Sequence, residues 1–267
     1  MLPQIHLYTT YYQEHDPFRN QELITCLENN LANDSISTLT VLNEGGDLSE
    51  FRNPKLQIIP IKGRPTYQDF IDYINGHKPQ EDLHIISNTD IYFDKHIAVL
   101  HYLDLKETCL ALSRWDTTGF NRPKLYNKSS SQDVWIFQGA ISSALKADFH
   151  LGVPRCDNRF MYELEEAGYK VLNPAFSIKA LHIHEGQRHL EYDRDDNSFS
   201  IPPPYRYKYP HNIYGLWATL FFNWTHSCKL GPYRYDLKKL NRWWVIRLPR
   251  KILELLSGKK MPLIGFD

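Results

Sequence analysis

Residues 88 to 90, Asn-Thr-Asp, follow an apolar run and are well suited to bind a divalent cation. Leu83 and the two isoleucines after it predict a buried strand, and Asn88, Thr89 and Asp90 stand at its end. Carboxylate oxygens are ligands that Mn2+ and Mg2+ prefer. We therefore expect Asp90 to be a metal ligand and Asn88 to support it. The alternative is an ordinary strand-end turn, which Asn and Asp also favour.

Two histidines near residue 183 form a second candidate metal-binding group. His182 and His184 alternate in the apolar segment Ala175–His184, so on a strand both would project from one face, roughly 7 Å apart. Such a spacing can serve one metal ion. Either imidazole would complete the coordination begun by Asp90, and the other would be an ordinary surface residue. The spacing alone does not choose between them.

Asp157 is the candidate general base. It lies in Arg-Cys-Asp-Asn-Arg, residues 155 to 159, ahead of a helical apolar pattern that Gly168 terminates. A carboxylate held at a helix start by backbone amides has the fixed geometry that proton abstraction from a hydroxyl needs. Helix capping by Asp157 or Asn158 explains the same residues.

Aromatic and basic residues after two early strands suggest a nucleotide site. The end of the first strand, residues 9 to 12, begins with Thr9 and includes Tyr11 and Tyr12, which could stack on a nucleobase. Arg64, after the third strand, could reach a diphosphate.

Two further segments combine aromatic rings with carboxylates. They contain Trp115-Asp116 and Asp133-Val134-Trp135. This composition is typical of a sugar-binding wall, although Trp135 could equally belong to the core.

Alternating strands and helices predict the scaffold that would hold these residues together. Strands over residues 4–12, 37–46 and 56–63 alternate with a helix beginning at Asp16-Pro17 and one near Tyr67. This order favours a largely parallel sheet between helices, with ligands at the carboxyl ends of the strands.

The order of these features resembles the GT-A fold nucleotide-sugar glycosyltransferases, in particular family 2-like members. The resemblance covers residues 4 to about 190 and departs from the family in having Asn-x-Asp instead of Asp-x-Asp. The corresponding segments are Thr9–Tyr12, Asn88–Asp90, a glycine loop at Gly139 on the acceptor side, Asp157, and His182 or His184.

The resemblance implies an α/β, GT-A-like, mostly parallel central sheet flanked by helices. It also implies a UDP- or GDP-type donor, a divalent metal (Mn2+ or Mg2+), and a glycan or glycolipid acceptor. An aspartate base would make the enzyme inverting, and surface polysaccharide biosynthesis is the expected setting. Two alternatives stay open: a metal-dependent phosphoesterase or nucleotidyltransferase using Asp90 with both histidines, and a non-catalytic glycan-binding protein.

Charge and tryptophan are concentrated at the carboxyl end. Residues 205–267 contain 12 Lys or Arg and 3 Asp or Glu, although the whole chain has no net charge. We expect a catalytic domain at 1–192, a polar, proline-rich linker at 193–204 and a basic, aromatic helical extension at 205–267. Residues 240–256 form a basic amphipathic pattern suited to an anionic membrane surface. A helical pair packed on the catalytic domain and a dimer contact are alternatives, and nucleic-acid binding is disfavoured because no binding module is recognisable.

The expected location is the cytoplasm, with possible peripheral attachment to the inner face of the cell membrane. The four cysteines form no Cys-x-x-Cys pair, which favours a reducing compartment. The first residues also lack a signal-peptide pattern.

Overall fold

The structure is a computed structural model that describes residues 2–77, 81–117, 122–183, 200–220 and 244–258. The chain divides into two compact units, Met1–Leu216 and Trp217–Asp267. The predicted linker lies outside the described residues as far as residue 199, so the boundaries at 192 and 204 stay a prediction.

A seven-stranded sheet forms the centre of the first unit. Its strands are β1 (Ile5–Tyr11), β2 (Thr38–Asn43), β3 (Leu56–Pro60), β4 (Leu83–Ser87), β6 (Thr108–Leu112), β9 (Val134–Gln138) and β10 (Lys170–Leu172). They lie in the order β10-β6-β9-β4-β1-β2-β3. All neighbouring pairs are parallel except those of β9, which is antiparallel to both β4 and β6. The predicted fold class, a mostly parallel sheet in an α/β chain, is confirmed.

Helices cover both faces of this sheet. On one face, α1 (Pro17–Ala32) contributes Leu23, Leu27 and Leu31 to a core shared with the 3-10 helix Lys95–Tyr102. On the other face, α2 (Tyr67–His77) and α3 (Cys156–Glu166) pack against the sheet. The central strands β1 and β4 are buried at every position, on both faces of the sheet, although β1 also contains His6, Thr9 and Thr10.

A second, four-stranded sheet follows β4 and was not predicted. It consists of β5 (Ile91–Phe93), β7 (Arg114–Asp116), β8 (Lys124–Leu125) and β11 (Ala180–His182), in the order β5-β11-β7-β8. In its register His182 lies opposite both Ile91 and Asp116. Since Ile91 directly follows Asp90, this sheet brings a late histidine next to the end of β4.

The helix starts show one confirmed prediction and one correction. Asp16 is the N-cap of α1, and its carboxylate accepts hydrogen bonds from the amides of Phe18 and Arg19. The cap of α3, however, is Arg155 in a left-handed conformation (φ 71°), with Asp157 inside the first turn. The predicted capping by Asp157 or Asn158 is therefore wrong, because the chain turns into the helix one residue before Cys156.

The second unit contains the helix α4, Trp244–Ser257. It confirms a helical element in the predicted carboxyl-terminal extension, of which residues 221–243 and 259–267 lie outside the described residues. Within the described part of the chain, no helix combines the length and apolar character that a membrane crossing requires.

Candidate functional site

A cleft of about 610 Å³ opens at the carboxyl ends of β1 and β4. Its volume lies within the range of small-molecule sites, about 300–1,000 Å³. Residues from seven different parts of the chain line it, including Tyr12, Arg19, Asp90, Asp133 and Asp157. The cleft is where the parallel topology predicts ligand binding.

Asp90 and His182 are in contact, as the sequence predicted for one of the two histidines. The Asp90 Oδ2 atom lies 3.2 Å from Nε2 of His182, and both side chains are buried. The other ring nitrogen, Nδ1, lies 2.9 Å from Oδ1 of Asp116. A carboxylate on Nδ1 fixes the ring orientation and aims Nε2 at its partner, which is the usual support of a metal-binding histidine.

The charges in this group stabilise one another. Burial alone would raise the pKa of Asp90, but the hydrogen bond and charge of His182, together with Arg19, hold it well below its usual range. Burial alone would lower the pKa of His182, but hydrogen bonds to Asp116 and Asp90 raise it to about 9. Near neutral pH, His182 is therefore protonated and Asp90 ionised in the chain without ligands.

Arg19 is a functional candidate that the sequence reasoning missed. Its Nη2 donates to Asp90 Oδ2 and its Nη1 donates to Glu22 Oε2, each at 2.5 Å. Arg19 lies in the first turn of α1, where the helix dipole disfavours a cation. That unfavourable position was the available signal that the side chain has another partner.

Arg114, also missed, joins the metal-binding candidates to the wall of the cleft. Its Nε donates to Asp116 Oδ1 at 3.0 Å, and its Nη1 donates to Asp133 Oδ1 at 3.3 Å. The Asn88 side-chain amide donates to the same Asp133 oxygen at 3.0 Å. Asn88 therefore holds Asp133 in place. The two residues are neighbours because Ser87, just before Asn88, lies opposite Val134, just after Asp133, in the β4–β9 register.

Asp157 lies in the same cleft, near the start of α3. Its Oδ1 accepts a hydrogen bond from the amide of Asn158 at 2.8 Å, and its Oδ2 accepts one from the amide of Gln132 at 3.2 Å. Burial raises the pKa of Asp157 to about 7, and the negative charge of Asp133 contributes to the rise. This carboxyl group can therefore take up or release a proton near neutral pH.

Next to Asp157, the cleft wall holds buried polar atoms. Within the described residues, the side-chain oxygen and nitrogen of Asn158 and the side-chain oxygen of Gln132 have no hydrogen-bond partner. Both residues line the cleft. Buried polar groups normally find partners, so this wall is a place where water or a ligand would be bound.

The predicted donor-binding residues divide into two groups. Tyr12, Arg64, Asn88, Thr89 and Asp90 line the cleft. Thr9 and Tyr11 do not.

The hydroxyl of Thr9 donates to the backbone oxygen of Ser87, which makes Thr9 part of the sheet. The Tyr11 hydroxyl donates to Asn20, and its ring lines a separate cavity against α1. Side chains alternate along a strand, so two consecutive tyrosines cannot both face the same cleft.

The predicted acceptor-binding residues are also separated. Asp133 and Trp135 line the cleft, although Trp135 is 1% exposed and its ring packs edge-on against Tyr67. Trp115 is a core residue whose Nε1 donates to the backbone oxygen of Ala175, and Asp116 supports His182.

Gly139 lies at the opposite end of the strands from the cleft, where its amide donates to the backbone oxygen of Asp82, just before β4. Because β9 runs antiparallel to β4, the residue after β9 lies at the start of β4 and not at its end. The acceptor-side placement of Gly139 is therefore wrong.

His184 lies outside the described residues. In the described part of the chain, no group of three or more His, Cys, Asp or Glu side chains is arranged to hold a metal ion.

Comparison with known proteins gives likeness in structure only. No protein-family model matches the chain, and no curated protein sequence matches it. The mannosyltransferase PcManGT from Pyrobaculum calidifontis, in complex with GDP-Man and Mn2+, is similar over 71% of this chain and 59% of its own, with 10% identity and a TM-score of 0.45.

Two further solved structures are similar. One is GalNAc-T7 with UDP, GalNAc and Mn2+ (98% of this chain, 59% of its own, 12% identity, TM-score 0.46). The other is the galactosyltransferase LgtC with donor and acceptor sugar analogues (81% and 93%, 12% identity, TM-score 0.40). This chain thus spans about three fifths of the length of PcManGT and of GalNAc-T7. At identities of 10–12%, this likeness is one of fold alone.

Proposed function

We propose that this chain is a glycosyltransferase that moves a sugar from a UDP- or GDP-type donor to a hydroxyl of a glycan or glycolipid acceptor. The observation that carries the proposal is one cleft lined by both Asp90, which contacts the buried His182, and Asp157, a carboxyl group with a pKa of about 7. Sugar transfer needs a neutralised diphosphate leaving group and a base for the acceptor hydroxyl, and these residues suit those two tasks.

We propose that a divalent cation such as Mn2+ or Mg2+ binds at the end of β4, where the described residues offer two protein ligands. Asp90 would supply a carboxylate oxygen, and His182, after losing its proton to solvent, would supply Nε2, which Asp116 orients through Nδ1. Such ions are often held by one or two protein ligands together with substrate phosphates. When bound, the ion would neutralise charge on the departing diphosphate.

Asp157 is the proposed general base. The ionised carboxylate takes the proton of the acceptor hydroxyl as that oxygen attacks the anomeric carbon of the sugar. The bond between the sugar and the diphosphate breaks in the same displacement, so the anomeric configuration inverts. Asn158 and Gln132 offer buried polar atoms next to the base, where they can orient acceptor hydroxyl groups.

Tyr12, Arg64 and Asn88 are the proposed donor contacts. Tyr12 follows β1 and offers an aromatic ring for the nucleobase, whereas the exposed Arg64 guanidinium can approach the diphosphate from the other side of the cleft. Asp133 and the edge of Trp135 are proposed to contact the sugars.

Attachment to an anionic membrane surface is proposed for α4. Its described apolar side chains are highly exposed, with Leu255 at 87% and Leu256 at 78%, and Arg247 and Lys251 are on the same helix. A basic amphipathic helix of this kind can lie among lipid headgroups. This attachment would keep the enzyme near a lipid-linked or envelope glycan, in keeping with a role in surface polysaccharide synthesis.

A thermal-shift experiment with nucleotides tests the proposed donor site. UDP and GDP are added with and without Mn2+ to the wild-type chain and to Asp90→Asn. We expect one nucleotide with Mn2+ to raise the melting temperature of the wild-type chain by about 3 °C or more at saturating concentration. Asp90→Asn should lose this shift. Equal stabilisation of both proteins, or no response to any nucleotide, would refute the donor site.

A further inference from the structure

Residues 201–211 form a fixed segment beside the cleft, here called the rim segment. Four of its backbone amides, those of Ile201, Arg206, Lys208 and His211, donate to the backbone oxygens of Pro154, Asn158, Ser129 and Asn173. Pro154 and Asn158 line the cleft. Gln132, which also lines it, donates from its side-chain amide to the backbone oxygen of Lys208 at 3.3 Å. The rim segment is therefore attached directly to one wall of the cleft.

The rim segment places its basic and aromatic side chains on different sides. Arg206 Nε and Lys208 Nζ both donate to the carboxylate of Glu165, at 3.0 and 2.7 Å, so these two side chains point towards α3. Residues 204–210 contain no helix or turn, and successive side chains of an extended chain point to opposite sides. The residues that alternate with the two basic ones, Tyr205, Tyr207 and Tyr209, therefore form a row on the other side, here called the tyrosine row.

Tyr205 joins the tyrosine row to the cleft. The guanidinium carbon of Arg155, a cleft residue, lies 5.7 Å from the centre of the Tyr205 ring, within the range of a cation–π contact. The Tyr205 hydroxyl donates to the backbone oxygen of Ile201 at 2.6 Å, which fixes the ring. Tyr207 and Tyr209 are 48% and 44% exposed and continue the row over roughly 13 Å.

A row of tyrosines attached to a cleft suits the chemistry of a glycan chain. A sugar ring has C–H groups on its faces and hydroxyl groups around its edge, and a tyrosine offers a flat apolar ring with a hydroxyl tip. Because backbone hydrogen bonds already hold the rim segment, little further ordering is needed when a ligand binds. The row begins at the wall of the cleft that contains Asp157, so a sugar chain with its terminal residue in the cleft would continue along the row.

We infer that the acceptor is a chain of several sugars and that the tyrosine row binds the sugars next to the reacting one. This inference rests on the proposed function, since it takes the cleft as the place where the reacting acceptor sugar binds. The row does not touch the reacting atoms. It raises the affinity for the acceptor and gives a preference for long acceptors over monosaccharides.

Glycan binding as a function of chain length tests the inference. Glucose and N-acetylglucosamine are compared with malto-, cello- and chito-hexasaccharides by NMR titration of the full chain, with and without UDP or GDP. We expect at least one hexasaccharide to bind the wild-type chain about tenfold or more tightly than its monosaccharide. The double variant Tyr207→Ala with Tyr209→Ala should reduce this ratio to about threefold or less, because two ring contacts are removed.

Two controls separate the rings from other effects. Tyr207→Phe with Tyr209→Phe keeps both rings, so it should keep most of the preference for the hexasaccharide. Tyr102→Ala removes a tyrosine that is 78% exposed elsewhere on the first unit, and it should keep the wild-type ratio. Circular dichroism verifies that each variant is folded.

Equal affinity of the wild-type chain for monosaccharides and hexasaccharides, or an unchanged ratio in the double alanine variant, overturns the inference. A change of oligomeric state in that variant also overturns it, in favour of a protein contact at the tyrosine row. If UDP or GDP with Mn2+ stabilises the wild-type chain and no length preference is found, only this inference fails. If neither nucleotide stabilises the chain, the proposed function fails, and length-dependent glycan binding would then belong to a non-catalytic glycan-binding protein.

Discussion

Asp157 is a residue whose surroundings set its chemistry. An aspartate in water is ionised at neutral pH, whereas burial in the cleft raises the pKa of Asp157 to about 7. The backbone amides of Asn158 and Gln132 favour the ionised form and hold the two oxygens in place. The result is a positioned carboxylate with the proton affinity of a general base at working pH.

The pH dependence of sugar transfer tests this role. Only ionised Asp157 can accept a proton, so kcat/KM should rise as pH increases through about 7 and fall on the acid side. Asp157→Asn should lower kcat at least about 100-fold, the usual contribution of a general base. Turnover by the variant close to that of the wild-type chain would contradict the assignment.

The same carboxyl group predicts a change in stability with pH. Its ordinary pKa of 3.8 is raised to about 7 in the folded chain. Between about pH 4 and pH 7, the folded state therefore binds a proton that the unfolded state has lost. Its contribution to the free energy of unfolding therefore decreases as pH rises through this window. Asp157→Asn should lack that decrease, and thermal denaturation of both proteins from pH 5 to pH 8 measures it. Parallel curves for the two proteins would contradict the raised pKa.

The types of residue in the sequence predicted part of the candidate site, the contact between Asp90 and one histidine. Asp90 and His182 could be paired because an acidic strand end and alternating histidines both suggest metal binding. Arg19 and Arg114 could not be placed in the cleft, because their partners there, Asp90 and Asp133, lie 71 and 19 positions away in the chain. Asp116 was expected to contact an acceptor, but its position opposite His182 depends on a register that residue types do not reveal.

At the scale of elements, the loop after β2 holds the loop after β1. Asn43 accepts hydrogen bonds from the amides of Gly45 and Gly46 and donates to the Gly46 carbonyl oxygen. A Cβ atom on Gly46 would lie 2.4 Å from the Tyr11 ring and 3.1 Å from the backbone of Tyr12. Only glycine fits there, so Gly46 fixes the segment that carries the proposed nucleobase contact.

Gly46→Ala should therefore displace the Tyr11–Tyr12 segment. Because overpacking destabilises a folded protein, we expect Gly46→Ala to lower the free energy of unfolding by about 1–3 kcal/mol. We also expect weaker nucleotide binding. Gly76→Ala is the matched control, because Gly76 lies in α2 with no atom within 4 Å of the added Cβ. Urea denaturation and nucleotide titration compare the two variants, and equal effects would contradict the proposed contact.

The helical conformation and the exposed apolar side chains of α4 were both predictable from its sequence. Its apolar residues recur at spacings of three and four, and the described ones remain exposed in the structure. Binding to vesicles that contain phosphatidylglycerol should fall at least tenfold when Leu255 and Leu256 are replaced by Glu, because both would meet the lipid.

Vesicle co-sedimentation measures this binding. Tyr102→Glu is the control, since it changes a side chain that is 78% exposed in the first unit. No binding to anionic vesicles, or a change of oligomeric state in the Leu255 and Leu256 variant, would favour a protein contact instead.

The small second sheet marks the limit of prediction at this scale. Strands β5, β7 and β11 are only three residues long, so none shows a periodicity that separates it from a loop. The segment before His182 was expected to be one long strand, whereas only Ala180–His182 pairs. These short strands form only because the ends of the central sheet position them.

At the scale of the whole molecule, the alternation of strands and helices correctly predicted the first unit. That alternation follows from local apolar periodicity, and a parallel sheet places strand ends on one edge. The reversal of β9 was not foreseeable from periodicity, since antiparallel and parallel strands have the same pattern when both faces are buried. This reversal is why Asp133, which precedes β9, reaches the cleft and Gly139 does not.

Product analysis tests the central claim of sugar transfer most directly. Wild-type protein is incubated with Mn2+, a panel of UDP- and GDP-sugars, and simple glycan acceptors, and the nucleotide products are separated by chromatography. We predict release of the nucleoside diphosphate from one donor, increased by an acceptor and abolished in Asp157→Asn. Release of a nucleoside monophosphate or inorganic phosphate, or no turnover of any donor, would contradict a glycosyltransferase.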